Sequence, residues 1–299
     1  MICKNIKILF IGTVEFSYRA LSILIDNKFD VVGVLSKKGS NFNSDYCDLT
    51  PLAKANNIPI LYRTEDNQDE IIDFINSKTP DVIYCFGWSH LLPKSILAIP
   101  KLGVIGFHPA ELPSNRGRHP IIWALFLGLE QTASTFFIMD EGADTGDIIS
   151  QVKIEISQDN ASSLYNKIIN VALKQIVSFT DELELKGEFS HRIKQDKNAG
   201  NSWRKRTKSD GKIDFRMNSK AIFNLVNSLS RPYVGAHIEF EGKEVKVWKV
   251  EEENINHLNH EPGKVLNIVG NDLIVKSYDG SIRITDHEFE HLPSIGQYL

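Results

Sequence analysis

Cysteine is scarce in this chain. The three cysteines, Cys3, Cys47 and Cys85, are scattered and show none of the paired spacings that metal sites use. An odd number of unpaired cysteines is typical of proteins in a reducing compartment, so we predict a cytoplasmic location. The sequence predicts no metal site.

Long apolar runs are also lacking, and we expect no amino-terminal leader. No stretch of about 18 apolar residues occurs, so we expect no helix that crosses a bilayer and no membrane partner. Residues 1–7 are too few and too polar for a signal peptide. Neither sign of charge dominates, because the net charge is -4 and the pI is near 6.2. That balance gives no global attraction to nucleic acid or to an anionic membrane.

The amino-terminal half has the pattern of a parallel sheet. Apolar residues make up 42% of the 299-residue chain and charged residues 24%, which is ordinary for a globular protein with room for one large domain and one small one. Residues 6–12 and 29–35 are predicted strands, and residues 15–26 between them are a predicted helix. A strand–helix–strand start favours a doubly wound α/β fold. The turn after the first strand lacks the G-x-G-x-x-G pattern of dinucleotide-binding proteins.

The composition changes near residue 186. Residues 186–212 are rich in Gly, Asn, Ser, Lys and Arg, which indicates a linker along the surface. Short predicted strands separated by glycine turns follow from residue 213. We therefore predict an α/β, Rossmann-like domain over residues 1–188, a linker over 189–212 and a small β-rich domain over 213–299.

Residues 103–151 hold the densest set of chemical groups. His108 lies at the end of an apolar predicted strand and is followed by Pro109. A turn-rich segment then brings Arg116, Arg118 and His119. Beyond a second strand, over residues 135–139, comes an acidic loop with glycines at residues 140–147. A histidine at one strand end and a carboxylate after the next strand form a plausible proton-transfer pair.

This stretch resembles the folate-dependent formyltransferases, which include methionyl-tRNA formyltransferase, the nucleotide-sugar N-formyltransferases and glycinamide ribonucleotide formyltransferase. The family pattern is Asn-x-His-(Pro/Gly), Leu-Pro, Arg-Gly and an Asp-x-Gly loop. The matching residues are Phe107-His108-Pro109, Leu112-Pro113, Arg116-Gly117 and Asp144-Thr145-Gly146-Asp147. The spacing from His108 to Asp144 matches without gaps. The resemblance implies an enzyme that uses 10-formyltetrahydrofolate, with His108 as proton acceptor and oxyanion contact and Asp144 as its partner.

One residue departs from the family pattern. The catalytic Asn of the family, two positions before the His, is Gly106 here. Asn115 lies in the same motif, and we include it with His108 and Asp144 as a predicted catalytic residue. Arg118 or His119 could replace Asn115 as the donor. Alternatively, His108 and a backbone N–H suffice without a further side chain, or the protein has lost its activity.

The resemblance also implies binding residues. By resemblance, main-chain groups after the predicted strand at residues 81–85 line the folate pocket. The predicted cofactor-binding residues are Phe86, Gly87, Trp88, Leu91, Ile138, Asp140 and Asp144. The predicted acceptor-binding residues are Arg116, Gly117, Arg118, His119 and Lys37, with a structural role as the alternative for Arg116.

The loop at residues 36–50 guides the prediction of the acceptor. In the methionyl-tRNA formyltransferases this loop is a longer and strongly basic insertion that engages RNA. Here Lys37 and Lys38 are offset by Asp45 and Asp48. We therefore predict an amino-sugar acceptor, nucleotide-linked and used in surface glycans, and no nucleic-acid partner. The alternatives are a methionyl-tRNA formyltransferase, a formyltetrahydrofolate hydrolase and a non-catalytic α/β binding module. The sequence is compatible with a homodimer.

Overall fold

The computed structural model describes residues 5–39, 45–253 and 259–299. Cys3 and residues 40–44 of the predicted acceptor loop lie outside the described residues. The chain divides into two compact units. The first comprises Met1–Gly117, Thr132–Ile154 and Asn166–Trp203, and the second comprises Arg118–Gln131, Glu155–Tyr165 and Arg204–Leu299. This division differs from the domain bounds expected from the sequence, which stay a prediction.

A seven-stranded sheet forms the centre of the first unit. The strands of this unit are β1 (Ile8–Ile11), β2 (Val31–Ser36), β3 (Ile60–Tyr62), β4 (Val82–Cys85), β5 (Val104–His108), β6 (Arg116–Gly117), β7 (Gln131–Ile138), β8 (Ile148–Glu155) and β9 (Ser202–Trp203). The sheet order is β3-β2-β1-β4-β5-β7-β8. The pairs from β3 to β5 are parallel, and β7 runs antiparallel to β5. The predicted Rossmann-like α/β class is confirmed.

The helices of both units follow in chain order. They are α1 (Glu15–Asp26), α2 (Thr50–Ala55), α3 (Gln68–Lys78), α4 (Lys94–Leu97), α5 (Pro120–Phe126), α6 (Ala161–Lys186) and α7 (Ser219–Ser228). Helix α1 buries Ala20, Leu21 and Leu24, whose spacing of one, three and four residues places them on one helical face. None of the helices within residues 5–39, 45–253 and 259–299 is long and apolar enough to cross a bilayer.

An aromatic cluster supports the strand that carries His108. The Phe107 ring lies 4.5 Å from the ring of Phe16 and 4.9 Å from that of Phe136, between ring centroids. Phe86, after β4, has no exposed surface and packs against Phe136 at 5.2 Å and Tyr84 at 5.3 Å. Tilted, edge-on and stacked aromatic pairs of this kind add stability beyond their buried area. The carboxyl ends of β4 and β5 are therefore held by packing.

The second unit is built on an antiparallel sheet. Its strands are β10 (Ala236–Phe240), β11 (Lys243–Glu253), β12 (Val265–Val269), β13 (Asp272–Lys276) and β14 (Ser281–His287), in the order β10-β11-β14-β13-β12. This arrangement confirms the predicted smaller β-rich domain. Helix α5 also belongs to this unit, because Ile122 is part of the same apolar core as Ile222 and Leu225 of α7.

Arg206 attaches the start of the carboxy-terminal segment to α5. Its guanidinium carbon lies 4.6 Å from the centre of the Trp123 ring and 4.9 Å from that of Phe126. The Trp123 indole N–H donates to the carbonyl of Arg204 at 3.0 Å. Arg206 is only 8% exposed, and this burial lowers the pKa of its guanidinium. Part of the segment predicted to lie on the surface is thus buried.

Candidate active site

His108 is the last residue of β5. It pairs with Thr135 of the neighbouring antiparallel strand β7 and is only 4% exposed. Directly after it the chain turns, since the amide of Ala110 donates to the His108 carbonyl. Ligands of open α/β sheets bind beyond the carboxyl ends of the strands, so His108 stands where such a crevice is expected.

The two ring nitrogens of His108 contact different loops. Nε2 lies 2.7 Å from the carbonyl oxygen of Asn115. Because a carbonyl only accepts, Nε2 carries a hydrogen. Nδ1 lies 3.5 Å from Oδ2 of Asp144. A proton taken up at Nδ1 would therefore face a carboxylate, which is the arrangement that stabilises an imidazolium. The structure brings together the histidine and the aspartate that the sequence singled out.

Asp144 is held by its own loop and by a neighbouring amide. Its Oδ2 accepts the N–H of Gly117 at 2.9 Å, and its backbone is left-handed, with φ of 58°. At Gly146 a Cβ atom would lie 1.6 Å from the carbonyl oxygen of Ile138, so only glycine fits there. Asp140 accepts hydrogen bonds from Thr145 Oγ1 at 2.5 Å and from the Gly142 amide at 3.0 Å. These constraints fix where the Asp144 carboxylate points.

A segment assigned to the linker supports the loop after His108. The amide of Asn115, at φ of 64°, donates to Oδ1 of Asn201 at 2.8 Å. Strand β6 pairs in parallel with β9, and a Cβ at Gly117 would lie 2.3 Å from the Trp203 carbonyl oxygen. Sequence reasoning missed these contacts because the segment has no apolar periodicity. The sequence feature that could have indicated these contacts is the concentration of Asn, Gln and Gly residues at 195–201.

Arg116, predicted to bind the acceptor, is buried and bonded inside the protein. Its guanidinium donates to Oε1 of Gln195 at 2.9 Å and to the carbonyls of Asp196 at 3.2 Å and Ala199 at 3.1 Å. The side chain is 8% exposed. These contacts favour the structural role that the sequence left open for this residue. Gly117, which has no side chain to offer an acceptor, contacts Asp144 through its backbone amide.

The predicted cofactor residues lie at the ends of β4 and β7, but in different environments. Phe86 is fully buried, whereas Leu91 is 71% exposed. Trp88 is half-buried, and its indole N–H is enclosed without a hydrogen-bond partner among the described residues. Ile138 is half-buried and pairs with Ile105 of β5. An enclosed donor without an acceptor is a feature that a ligand rich in acceptors would satisfy.

Lys37 lies beside Trp88. Its Nζ is 2.5 Å from Nε2 of His90 and 5.3 Å from the centre of the Trp88 ring, and Arg63 lies 5.9 Å from the same ring. Burial, and then the charge of Arg63, lower the pKa of Lys37. His90 is not among the predicted site residues, yet it contacts one of them.

Arg118 and His119 belong to the second unit. His119 precedes α5 with a left-handed backbone, φ of 55°. Its Nδ1 is enclosed without a partner among the described residues. Burial lowers the pKa of His119, and the charges of Arg118, Arg206 and Lys205 lower it further. The arrangement therefore favours a neutral imidazole in a positively charged surrounding.

Gly106 faces Phe137 across the β5–β7 pair. A Cβ atom at this position would lie 2.8 Å from Cζ of Phe137 and 2.9 Å from Cγ of Met139. Phe137 is only 3% exposed and cannot turn outward freely. The space beside Gly106 is thus filled by its neighbour, and this position offers no side-chain donor.

We predict that Gly106→Ala lowers the free energy of unfolding by about 1–3 kcal/mol, because overpacking of a filled core costs about that much. Chemical denaturation measures it. Gly39→Ala is the matched control, since a Cβ there meets nothing within 4 Å, and it should leave the stability nearly unchanged. In a Phe137→Leu background the Gly106→Ala cost should shrink, because the two positions are in contact. An equal cost in both backgrounds would contradict the packing explanation.

Two family descriptions match the chain. Residues 4–180 match the family described as Formyl transferase, and residues 205–295 match Formyl transferase, C-terminal domain. The methionyl-tRNA formyltransferase of Clostridium acetobutylicum is 33% identical to this chain over 304 residues, which cover 98% of the chain and 96% of that protein.

Solved structures share the fold at lower identity. An N-formyltransferase from Helicobacter canadensis, in complex with folinic acid and dTDP-3-aminofucose, superposes with a TM-score of 0.69 at 18% identity. The match covers 93% of this chain and 98% of that one. The methionyl-tRNA formyltransferase from Clostridium thermocellum gives a TM-score of 0.61 at 18% identity, covering 83% and 94%.

The prediction of an amino-sugar acceptor is wrong. Curated relatives that are 30–33% identical over 81–98% of this chain are named methionyl-tRNA formyltransferase. Solved N-formyltransferases, one of them named a sugar 3N-formyl transferase, resemble the chain in fold, at 18–22% identity. The expectation of no nucleic-acid partner loses its support as well. It rested on total charge and on one loop, whereas binding to a polyanion depends on local charge.

Proposed function

The chain belongs to the formyl transferase family, and from this membership we propose that it moves the formyl group of 10-formyltetrahydrofolate to the amine of methionyl-tRNA. The family resemblance, the folate-dependent formyltransferase activity and the folate donor expected from the sequence are thereby confirmed. The acceptor is our inference. The observation that carries it is the similarity to methionyl-tRNA formyltransferases over nearly the full length of both chains.

We assign the folate site to the ends of β4 and β7. The enclosed Trp88 N–H offers a donor to the folate, and the half-buried residues Gly87 and Ile138 offer main-chain groups. Phe86 supports the site from the core, since its side chain is fully buried. When bound, 10-formyltetrahydrofolate supplies the formyl carbon that the amine attacks.

The proposed proton-transfer pair is His108 and Asp144. His108 takes up the proton that the attacking amine releases, and Asp144, 3.5 Å from Nδ1, stabilises the charged ring. At rest Nε2 carries the hydrogen that it donates to the Asn115 carbonyl. To accept the amine proton at Nε2, the ring must adopt the other tautomer, with its hydrogen on Nδ1 facing Asp144, and the bond to Asn115 is then lost. Asn115 is the proposed amide donor in place of the residue missing at Gly106. Asn115 lies in the loop after His108, and its backbone amide is held by Oδ1 of Asn201.

Local charge supports an RNA acceptor. Residues 191–212 carry eight Lys and Arg side chains against two Asp, a local net charge of +6 in a chain of net charge -4. Some of these cations are paired internally, as Lys208 is with Glu244 at 2.5 Å. Phosphate neutralisation by such a segment makes binding strongly dependent on salt. Arg118 and Lys37 are further proposed contacts with the acceptor.

We predict that His108→Ala lowers turnover by about a hundredfold or more, because general acid–base catalysis contributes about that factor. Asp144→Asn should lower it by a similar factor. The amide keeps an oxygen that can accept the Gly117 N–H, so the loop stays in place while the charge is lost. Turnover is measured under saturating donor, and thermal unfolding serves as the control for folding. A folded variant with near-normal turnover would remove that residue from the mechanism.

We predict that the purified protein formylates methionyl-tRNA, and that kcat/KM for this acceptor falls steeply as salt rises from about 50 to 200 mM. The KM for the folate donor should change little over the same range. Free methionine, uncharged tRNA and a panel of other primary amines are the comparison acceptors. Faster transfer to any of these amines than to methionyl-tRNA would overturn the proposal. The cytoplasmic location and the homodimer stay predictions.

A further inference from the structure

We propose that Gln195 is a positioning residue for formyl transfer, which sets the relative placement of His108 and Asp144 through its side-chain amide. The inference rests on the proposed roles of these two residues. Gln195 lies outside the stretch that carries the family motif, in the segment that sequence reasoning assigned to a linker. The side chain is only 5% exposed.

The amide group of Gln195 holds the loop that carries Asp144. Nε2 donates to the carbonyl of Asp144 at 3.0 Å and to the carbonyl of Gly146 at 2.7 Å. A primary amide has two N–H groups, so each carbonyl receives one of them. Both carbonyls lie within three residues of each other in the acidic loop. The two bonds therefore fix the backbone from which the Asp144 carboxylate projects.

The oxygen of the same side chain holds the loop that contacts His108. Oε1 accepts a hydrogen bond from the Arg116 guanidinium at 2.9 Å. Arg116 stands between Asn115, whose carbonyl accepts from His108 Nε2, and Gly117, whose amide donates to Asp144 Oδ2. Gln195 thus connects directly to the backbone of Asp144 and, through Arg116 and Asn115, to His108.

Only a side-chain primary amide supplies this combination at one buried point. Glutamate would keep the acceptor for Arg116 but would place a carboxylate against two carbonyl oxygens. Lysine would donate to the carbonyls but would face the Arg116 charge. An apolar residue would leave two carbonyls and a guanidinium N–H unpaired, and each unpaired buried group costs about 1–3 kcal/mol. The role therefore requires an amide, whose donors and acceptor point to different loops.

A small displacement of the two loops is enough to reduce the reaction rate. The Nδ1 to Oδ2 distance is already 3.5 Å, which is long for a hydrogen bond. A misplacement of about 1 Å costs about a hundredfold in rate. Because Gln195 is not placed at the reacting atoms, its loss should lower kcat and leave the KM of the folate donor nearly unchanged.

The test compares three variants. Gln195→Ala removes all three bonds, and Gln195→Glu keeps the acceptor for Arg116 while removing both donors. Both should lower kcat by about tenfold to a hundredfold. Gln175→Ala is the matched control. Gln175 is equally buried, at 6% exposure, and its amide donates to the Ser134 carbonyl at 3.2 Å and to Ser150 Oγ at 2.8 Å. It should lose comparable stability and keep near-normal kcat.

A second measurement does not depend on the acceptor. Hydrogen exchange of the Gly117 amide, followed by NMR, reports its bond to Asp144. Exchange should quicken at least tenfold in both Gln195 variants and stay unchanged in Gln175→Ala. If the wild-type protein does not formylate methionyl-tRNA, the proposed acceptor fails, while this exchange still tests the positioning role.

Three outcomes would overturn the inference. The first is unchanged exchange of the Gly117 amide in both Gln195 variants. The second is faster exchange with normal kcat on whichever amine the protein formylates. The third is a loss of kcat in Gln175→Ala equal to that in Gln195→Ala, which would show that lost stability alone lowers the rate.

Discussion

The hydrogen bond from the Gly117 amide to the Asp144 carboxylate joins two loops that are 27 residues apart in sequence. Each loop alone is held in a backbone conformation that few residues adopt. Asn115, Gly117 and Asp144 all have positive φ. Such conformations persist only when surrounding contacts over-determine them. The bond between the loops, the β6–β9 pair and the buried Arg116 supply these contacts, so the site is rigid because its parts constrain one another.

Local sequence patterns predict the fold, but they do not predict the residues that hold the site in place. Apolar runs at residues 6–12 and 103–107 predict buried strands, and the end of the second run correctly places His108 beyond a sheet edge. The gap-free motif brings Asp144 next to it. By contrast, Asn201 acts through one side-chain hydrogen bond and Gln195 through three, to residues about 50 to 90 positions away. Polar residues without periodicity carry no signal for such pairing, so the segment resembled a linker.

The error about the acceptor has a physical origin. A net charge of -4 averages over the whole chain, and a phosphate backbone responds only to charges within about a Debye length, about 8 Å at physiological salt. The cations at residues 191–212 lie in a composition typical of linkers, which conceals their local net charge. Phe137 is a second case. Nothing in the sequence indicates that it fills the space beside Gly106, since this depends on strand register.

The chain passes between its two units five times, at residues 117/118, 131/132, 154/155, 165/166 and 203/204. The consequence concerns how the protein can be divided. A fragment that ends at residue 203 would keep α5 but lose α7, and the apolar face of α5 around Ile122 would then have no core to enter. A fragment that starts at residue 204 would lack α5 in turn. We therefore expect that neither half is a self-sufficient folding unit, so the route of the backbone disfavours autonomous halves and domain shuffling.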